Sequence, residues 1–407
     1  MVDKRLKDAP ELKESFFNKR GLNYYAEGEN HDYLSDEVLL LTKEEEADAL
    51  RVSDELYDIL RATLKRCLIS PDRLANMGLT ERALPLVQWS VENEWEDYLV
   101  GRFDFAGGIG GEPLKLLEIN ADTCSLLPET TAIMPEVLRK AGVKPLTNGV
   151  LASLENQFSR VKNARGNAIA AATHLGHTDD QLNLDVLIKT AKAAGWKVDE
   201  LELPNLVFDD ENGLLIEMGE DDFSRYYYLL KFIPWDWIIT EEPQLWDLLE
   251  KMTTEHLLRV LNPAWTLLLQ NKALLAYAWQ DNPGHPALLP TAFDPADLPN
   301  PTQGYVRKPV YGRMGENVMV SLNGRGADAE TRGDYGAQIN VYQQLAPFNR
   351  DDEDYAYQLS TFMTPKASGL CCRRQEGLIL NDDAEFVSLG LYTQNRSGGS
   401  KPGWKFW

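Results

Sequence analysis

Gly101-Arg102-Phe103-Asp104-Phe105-Ala106 is followed by Gly107-Gly108-Ile109-Gly110-Gly111, and then by Leu114-Lys115-Leu116-Leu117-Glu118-Ile119-Asn120-Ala121. Two alternating runs around a glycine cluster predict a β-hairpin. Residues i and i+2 of a strand share a face. Arg102 and Asp104 therefore lie together, opposite Phe103 and Phe105, and Glu118 lies with Asn120, opposite Leu117 and Ile119. A turn centred on Gly111 pairs Asp104 with Glu118 and Arg102 with Asn120. Two carboxylates about 5 Å apart at an effective dielectric near 20 repel by roughly 3 kcal/mol. A divalent cation with oxygen ligands offsets that repulsion, and Asn120 offers a neutral third oxygen. Arg102 alongside suits a phosphate or a developing oxyanion. The same pattern also reads as a solvated strand face with an Arg102–Asp104 pair and no metal. A dinucleotide fingerprint is excluded, because a helix must follow its glycines and here Pro113 and a strand follow.

A second glycine break lies within Val306-Arg307-Lys308-Pro309-Val310-Tyr311-Gly312-Arg313-Met314-Gly315-Glu316-Asn317-Val318, inside a strand-rich stretch over 305–345. It lacks the GK[ST] of a Walker loop. A lysine on a strand entering a glycine hairpin can reach a nucleotide phosphate, while Gly312 and Gly315 let backbone N–H groups approach it. An ordinary basic hairpin has the same pattern. Lys272, at the start of an apolar helix, could touch the same phosphates or simply be solvated.

Elsewhere, residues 43–66 predict an amphipathic helix. Thr42 caps it, Glu44 to Glu46 fill its first turn, and Leu50, Leu56, Ile59, Leu60 and Leu64 form an apolar stripe. A second helix is expected near 81–97. Residues 167–203 read as strand, helix, strand, with the helix over Asp179 to Ala194, which predicts a βαβ-type lobe. The proline-rich 283–301 reads as a surface connection between lobes. Ser397 to Ser400 reads as flexible, with Trp404, Phe406 and Trp407 docking beyond it.

The chain has 407 residues, 41 Lys+Arg against 63 Asp+Glu and a formal net charge of −22. That length suggests about two or three lobes, and 43% hydrophobic residues support a sizeable core. The charge argues against nucleic acid and anionic membrane as partners. It favours a cationic partner or a bound metal, and predicts a steep salt dependence for binding a cationic amine. Cys67, Cys124, Cys371 and Cys372 show no CxxC spacing, so a disulfide framework is not expected. Met1 to Arg5 lead into no apolar signal core, and no apolar run approaches the ~18 residues of a membrane span. A cytoplasmic protein is expected.

The hairpin, the lysine–glycine loop and several further stretches occur in one order that resembles the synthetase domain of the glutathionylspermidine synthetase family. The similarity runs from about residue 20 to about 390. Its most specific parts are Gly101 to Phe105 with Leu117 to Thr123. Phe232-Ile233-Pro234-Trp235-Asp236-Trp237, Asn262-Pro263-Ala264-Trp265 with Asn271-Lys272, and Arg307 to Arg313 support it. Val341-Tyr342-Gln343-Gln344 and Gly369-Leu370-Cys371-Cys372-Arg373 match more weakly.

The resemblance implies an α/β protein of ATP-grasp fold, glutathione synthetase-like, with a pre-ATP-grasp βαβ-type lobe. It divides the chain into 1–165 with the hairpin, 166–262 as the pre-ATP-grasp lobe, and 263–407 as the nucleotide lobe. Asp104, Glu118 and Asn120 would hold Mg²⁺ on the phosphates of ATP. Arg102 and Arg373 would stabilise the transferring phosphoryl group, with Lys272 and Lys308 on phosphates and Gly312 to Gly315 closing over them. Gln343 would lie near adenine, and Thr123 and Ser125 near the acid substrate. The implied activity is an ATP- and Mg²⁺-dependent acid–amine ligase that makes an amide through an acyl phosphate, with a polyamine among the candidate amines. A nucleotide-binding protein without turnover, acting as a sensor or partner subunit, is the alternative, and a peptide-binding module is a third. Bifunctional members carry an N-terminal amidase, for which 407 residues leave no room. The family has an acidic residue just after the arginine matching Arg373, whereas Arg374-Gln375 follow here.

Other features carry bland expectations. His174 and His177 form HxxH in a polar loop. Tyr226 to Tyr228, Trp235 and Trp237 are expected in packing. Cys124 is a weak candidate thiol, and the acid runs Glu220-Asp221-Asp222 and Asp351 to Asp354 read as solvated turns.

Overall fold

A computed structural model describes residues 2–27, 32–219 and 222–393. The terminal 397–407 features and the Glu220–Asp221 part of the acid run lie outside the described residues. The fold is mixed α/β with several sheets.

An eight-stranded sheet forms its centre. Its order is Leu6–Asp8, Leu34–Leu41, Glu385–Leu391, Ala367–Glu376, Tyr355–Met363, Gly101–Ala106 and Lys115–Asn120, with Asn349–Arg350 beside Tyr355–Met363. Neighbours are antiparallel except Leu34–Leu41 with Glu385–Leu391. Both ends of the chain thus contribute to one sheet.

The helix Lys43–Leu68 packs on this sheet through Tyr355–Met363 and Ala367–Glu376. Thr42 Oγ1 accepts from Glu45 N at 3.2 Å, and Glu45 Oε2 accepts from Thr42 N at 2.7 Å. This capping box satisfies donors that a helix start leaves orphaned. Leu56, Leu60 and Leu64 are fully buried, as the stripe requires. The helix expected near 81–97 is shorter, Leu84–Asn93. Glu94 and Asp97 instead turn toward Arg259, at 3.4 and 3.3 Å.

The βαβ reading of 167–203 holds. Ile169–His174, the helix Thr178–Ala193 and Lys197–Glu200 form it, and the sheet is parallel in the order Arg259–Leu261, Tyr228–Phe232, Ile169–His174, Lys197–Glu200. A five-stranded antiparallel sheet runs Thr291–Ala292, Asn340–Gln344, Tyr305–Pro309, Met319–Ser321, Ala329–Glu330. The proline-rich stretch is therefore more than a surface connection. Its Ala287, Leu288 and Leu289 are buried and Thr291–Ala292 is a sheet strand, because those apolar residues need cover. All four cysteines are unpaired and buried. Among the described residues no helix is long and apolar enough to cross a membrane.

Candidate active site

The hairpin pairs as its alternation predicts at the functional end, Arg102 opposite Asn120 and Asp104 opposite Glu118. A bulge after Asp104 then sets Phe105 against Leu116, so the turn is not the symmetric one centred on Gly111. The first strand begins where only glycine fits. A Cβ on Gly101 would lie 2.0 Å from Tyr98 Oη and 2.8 Å from the Asn120 carbonyl oxygen.

The strand is not half solvated. All six residues of Gly101–Ala106 are buried. Phe103 and Phe105 enter the core, while Arg102 and Asp104 are enclosed on the polar face. Asp104 is 0% exposed and its two oxygens accept from Arg102 Nε (2.7 Å) and Nη2 (2.9 Å). Asn120 Nδ2 also donates to Asp104, at 3.0 Å. Arg102 extends through Nη1 to the Ser125 carbonyl and hydroxyl oxygens, both at 3.1 Å.

Glu118 turns to a different set of cations. Lys272 Nζ lies 3.3 Å from its Oε2. Burial would push the Glu118 carboxyl up, but Lys272, Lys308 and Arg102 together hold it down at about 2. Burial pushes the Lys308 ammonium down to about 8, against the upward pull of Glu118. Lys308 Nζ donates to the Leu117 carbonyl at 3.1 Å and to Gln343 Oε1 at 2.9 Å, and Gln343 Nε2 donates to the Leu116 carbonyl at 3.3 Å. Lys272 Nζ donates to the Gly312 carbonyl at 2.5 Å, tying the second glycine loop to the same place. That loop packs closely at Gly315, whose φ is +69° and whose Cβ would meet the Leu380 carbonyl oxygen at 2.6 Å.

These groups surround a cleft of about 1340 Å³. Every residue singled out for the site in the sequence lines it except Asp104, which is sealed behind Arg102 and Asn120. Thr123 and Ser125 lie at its wall, Thr123 Oγ1 accepting from Arg313 at 3.4 Å. Arg373 lines it too, donating to the Asn381 carbonyl at 3.4 Å. The next residue, Arg374, points through the other face of its strand. It pairs with Glu37, and with Glu385 at 2.8 Å, and donates to Tyr357 Oη at 3.2 Å. Arg374 therefore sits in a buried pairing on the far face, outside the cleft. Gln375 bonds Asn381 on the Arg373 side, at 2.7 Å.

Sequence reasoning missed several cleft groups. Arg313 bonds Asp236, and Asp236 Oδ1 also accepts from Gln270 at 3.0 Å. Asp179, Asp180 and Asp382 form an acidic wall. Burial, with Asp179 next, pushes the Asp180 carboxyl up to about 6 against His177. The available signal was topological, because ligands gather at the carboxyl ends of parallel strands and Asp179-Asp180 follow the strand ending at His174. Trp237 also lines the cleft, whereas Trp235 packs on Trp246 and Tyr228 on Trp196 as expected.

The HxxH pair spans the turn from Ile169–His174 into the helix Thr178–Ala193. His174 Nδ1 accepts from Gly176 N at 3.0 Å, and among the described residues no three His, Cys, Asp or Glu side chains converge as a metal-holding group. Cys124 is buried, and burial pushes its thiol up to about 12 despite Arg102, which leaves no thiolate at neutral pH. Asp351 organises a turn as expected, accepting from Tyr355 N at 2.9 Å and Tyr357 Oη at 2.8 Å.

A family model described as "Glutathionylspermidine synthase preATP-grasp" matches residues 5–391. The chain belongs to this family. It is 31% identical over 323 residues to a Haemophilus influenzae protein named as a candidate acid–amine ligase, covering 77% of this chain and 79% of that protein. It is 25% identical over 359 residues to the trypanothione synthetase of Crithidia fasciculata, covering 83% and 54% of the two chains. It is 24% identical over 369 residues to the bifunctional glutathionylspermidine synthetase/amidase of Escherichia coli, covering 86% and 58%. The chain thus spans little more than half the length of the last two.

Proposed function

We propose that this family member is an ATP- and Mg²⁺-dependent acid–amine ligase, built on an ATP-grasp fold with lobes near 1–165, 166–262 and 263–407. One observation carries the reading. Glu118, Lys272 and Lys308 come from three separate segments and meet in one cleft beside Arg102. The names of the relatives point the same way.

The donor set fits a hard cation in part. Glu118 lines the cleft, and Asn120, whose amide nitrogen is committed to Asp104, keeps its oxygen for a ligand. Asp104 has both oxygens engaged by Arg102 and one also by Asn120, and through these bonds it orients both side chains. Mg²⁺ bound here would neutralise phosphate charge.

This chain's residues account for the remaining tasks. Lys272 and Lys308 hold phosphate oxygens, and the apolar wall of Val306, Val320 and Ile339 near Gln343 suits a purine. A substrate carboxylate beside Thr123 and Ser125 attacks the γ-phosphorus as the bond to ADP breaks. Arg102 and Arg373 balance the charge of the resulting acyl phosphate. An amine nitrogen then attacks the acyl carbon, the carbon–oxygen bond to phosphate breaks, and the amine proton leaves to solvent. The acidic wall of Asp179, Asp180 and Asp382 suits a cationic amine, and spermidine is part of the product named for the Escherichia coli relative.

The test is ADP formation with ATP, Mg²⁺ and pooled acids and amines, followed by mass spectrometry. ADP that requires both an acid and an amine supports the ligase. Tight ADP binding with no turnover in any pool leaves a nucleotide sensor instead.

A further inference from the structure

The polar face of the central sheet continues past the hairpin onto Tyr355–Met363 and Ala367–Glu376, where Arg373 has a role and Gln358 and Ser360 have none. Gln358 on Tyr355–Met363 stands directly opposite Arg373 on Ala367–Glu376. Two residues along, Ser360 stands opposite Cys371 on one side and Asp104 on the other, and Asp104 in turn faces Glu118. With the period of two, Gln358, Ser360, Arg373, Asp104 and Glu118 all project from one face. Gln358 and Arg373 both line the cleft.

Three polar atoms here are buried without a hydrogen-bond partner: Gln358 Nε2, Ser360 Oγ and Arg373 Nε. Gln358 is only 5% exposed and Ser360 1%. A buried donor without an acceptor costs stability, and native folds rarely keep several together. The level at which they sit matters. Gln343 Nε2 reaches the Leu116 carbonyl and Lys308 Nζ the Leu117 carbonyl, and Leu116 lies in the row of Phe105 and Leu359, between the rows of Gln358 and Ser360. Registered side chains across an antiparallel pair have Cβ atoms about 5 Å apart. An amide N–H and a guanidinium N–H at that spacing can converge on one tetrahedral oxyanion.

We propose that Gln358, paired with Arg373, is a phosphate-contacting residue of this cleft. Its amide donates to an oxygen of the phosphoryl group that leaves ATP and departs as inorganic phosphate. Ser360 supports it from the next row. This inference rests on the ligase reading. Gln358 pays for its unsatisfied donor in the ligand-free protein and recovers it when the oxyanion arrives.

The experiment measures two quantities by calorimetry on the whole protein: ADP–Mg²⁺ affinity, and inorganic phosphate affinity of the ADP–Mg²⁺ complex. It compares wild type, Gln358→Met and Gln358→Glu, each with its ligand-free melting temperature. Expected are unchanged ADP affinity, phosphate affinity weakened roughly tenfold or more in Gln358→Met and further in Gln358→Glu, and a melting temperature of Gln358→Met equal to or above wild type. Phosphate affinity within twofold of wild type in both variants overturns the proposal, as does a wild-type complex that binds no phosphate. A Gln358→Met melting temperature several degrees below wild type also overturns it, since it assigns Gln358 to packing. Failure of wild type to bind ADP–Mg²⁺ is a separate result and overturns the ligase reading itself.

Discussion

Glu118 and Asp122 lie four residues apart on one run of chain, and each carboxylate meets a lysine. Asp122 Oδ1 accepts from Lys231 Nζ at 2.8 Å and Oδ2 from Trp235 N at 2.7 Å, while Lys231 also donates to the Ile233 carbonyl at 2.7 Å. The ammonium sits 4.4 Å from the centre of the Trp235 ring, and both side chains of the pair are 0% exposed. Asn262 closes the knot, donating to the Val100 and Asp122 carbonyls at 2.8 Å each. Burial pushes Asp122 up and Lys231 down, and their mutual attraction only partly opposes it. Glu118 is the opposite case. Its lysine is 3.3 Å away, further cations stand near, and it opens on the cleft. The first pair is saturated and joins the hairpin to the parallel sheet. The second has cationic field to spare, which is what an anionic ligand requires.

The largest effect is expected at the saturated pair. Asp122→Ala leaves Lys231 buried without its counter-charge, and should cost about 3–5 kcal/mol in urea unfolding, with Lys231→Met in the same chain recovering much of it. An Asp122→Ala protein of wild-type stability would break the comparison. Glu118→Ala should instead lower ligase turnover by roughly a hundredfold or more and lower the melting temperature much less than Asp122→Ala does, as ADP release and a thermal melt will read. A collapse in stability with ADP affinity intact would make Glu118 structural like Asp122.

Arg374→Met sharpens the contrast on another strand. It removes the partner of Glu37 and Glu385 on the far face of the sheet, so stability should fall by about 1–3 kcal/mol. ADP affinity, by titration calorimetry, should stay within twofold.

The smallest effect concerns the acidic wall. Asp180 is raised from an ordinary 3.8 to about 6, first by burial. A cationic amine needs the ionised carboxylate, so spermidine affinity should rise several-fold as pH rises through about 6 and then level off. In the ligand-free protein the sign reverses. The folded state holds the Asp180 proton more tightly than the unfolded chain, so its stability contribution is lost as pH climbs from about 4 to about 6. Asp180→Asn should flatten both curves; retention of the binding curve in that variant would move the amine elsewhere.

Much of the site was legible because the periodicity of a strand is rigid. Alternation placed Arg102, Asp104, Glu118 and Asn120 on one face, and the glycine cluster placed the turn close enough for the right pairs to meet. The bulge escaped because one extra residue leaves the alternation on either side intact. The burial of Asp104 escaped because the charges of Arg102 and Asp104 read as a solvated face, while the chain that encloses them comes from distant segments. The same period of two already implied that Arg373 and Arg374 face opposite ways, but which of them meets the cleft depends on what packs over each side of the sheet.

By itself, then, the sequence determined the local elements, the hairpin register at Asp104 and Glu118, and the family, all of which follow from short-range periodicity and ordered motifs. Tertiary structure alone decided which carboxylates are spent and which remain available. That depends on partners supplied by other strands and lobes. Asp104 accepts from Arg102 and Asn120, Asp122 from Lys231 and Trp235, and Glu118 opens on the cleft with Lys272 and Lys308. An ionised group acts on a ligand only to the extent that folding leaves its hydrogen-bonding capacity unfilled.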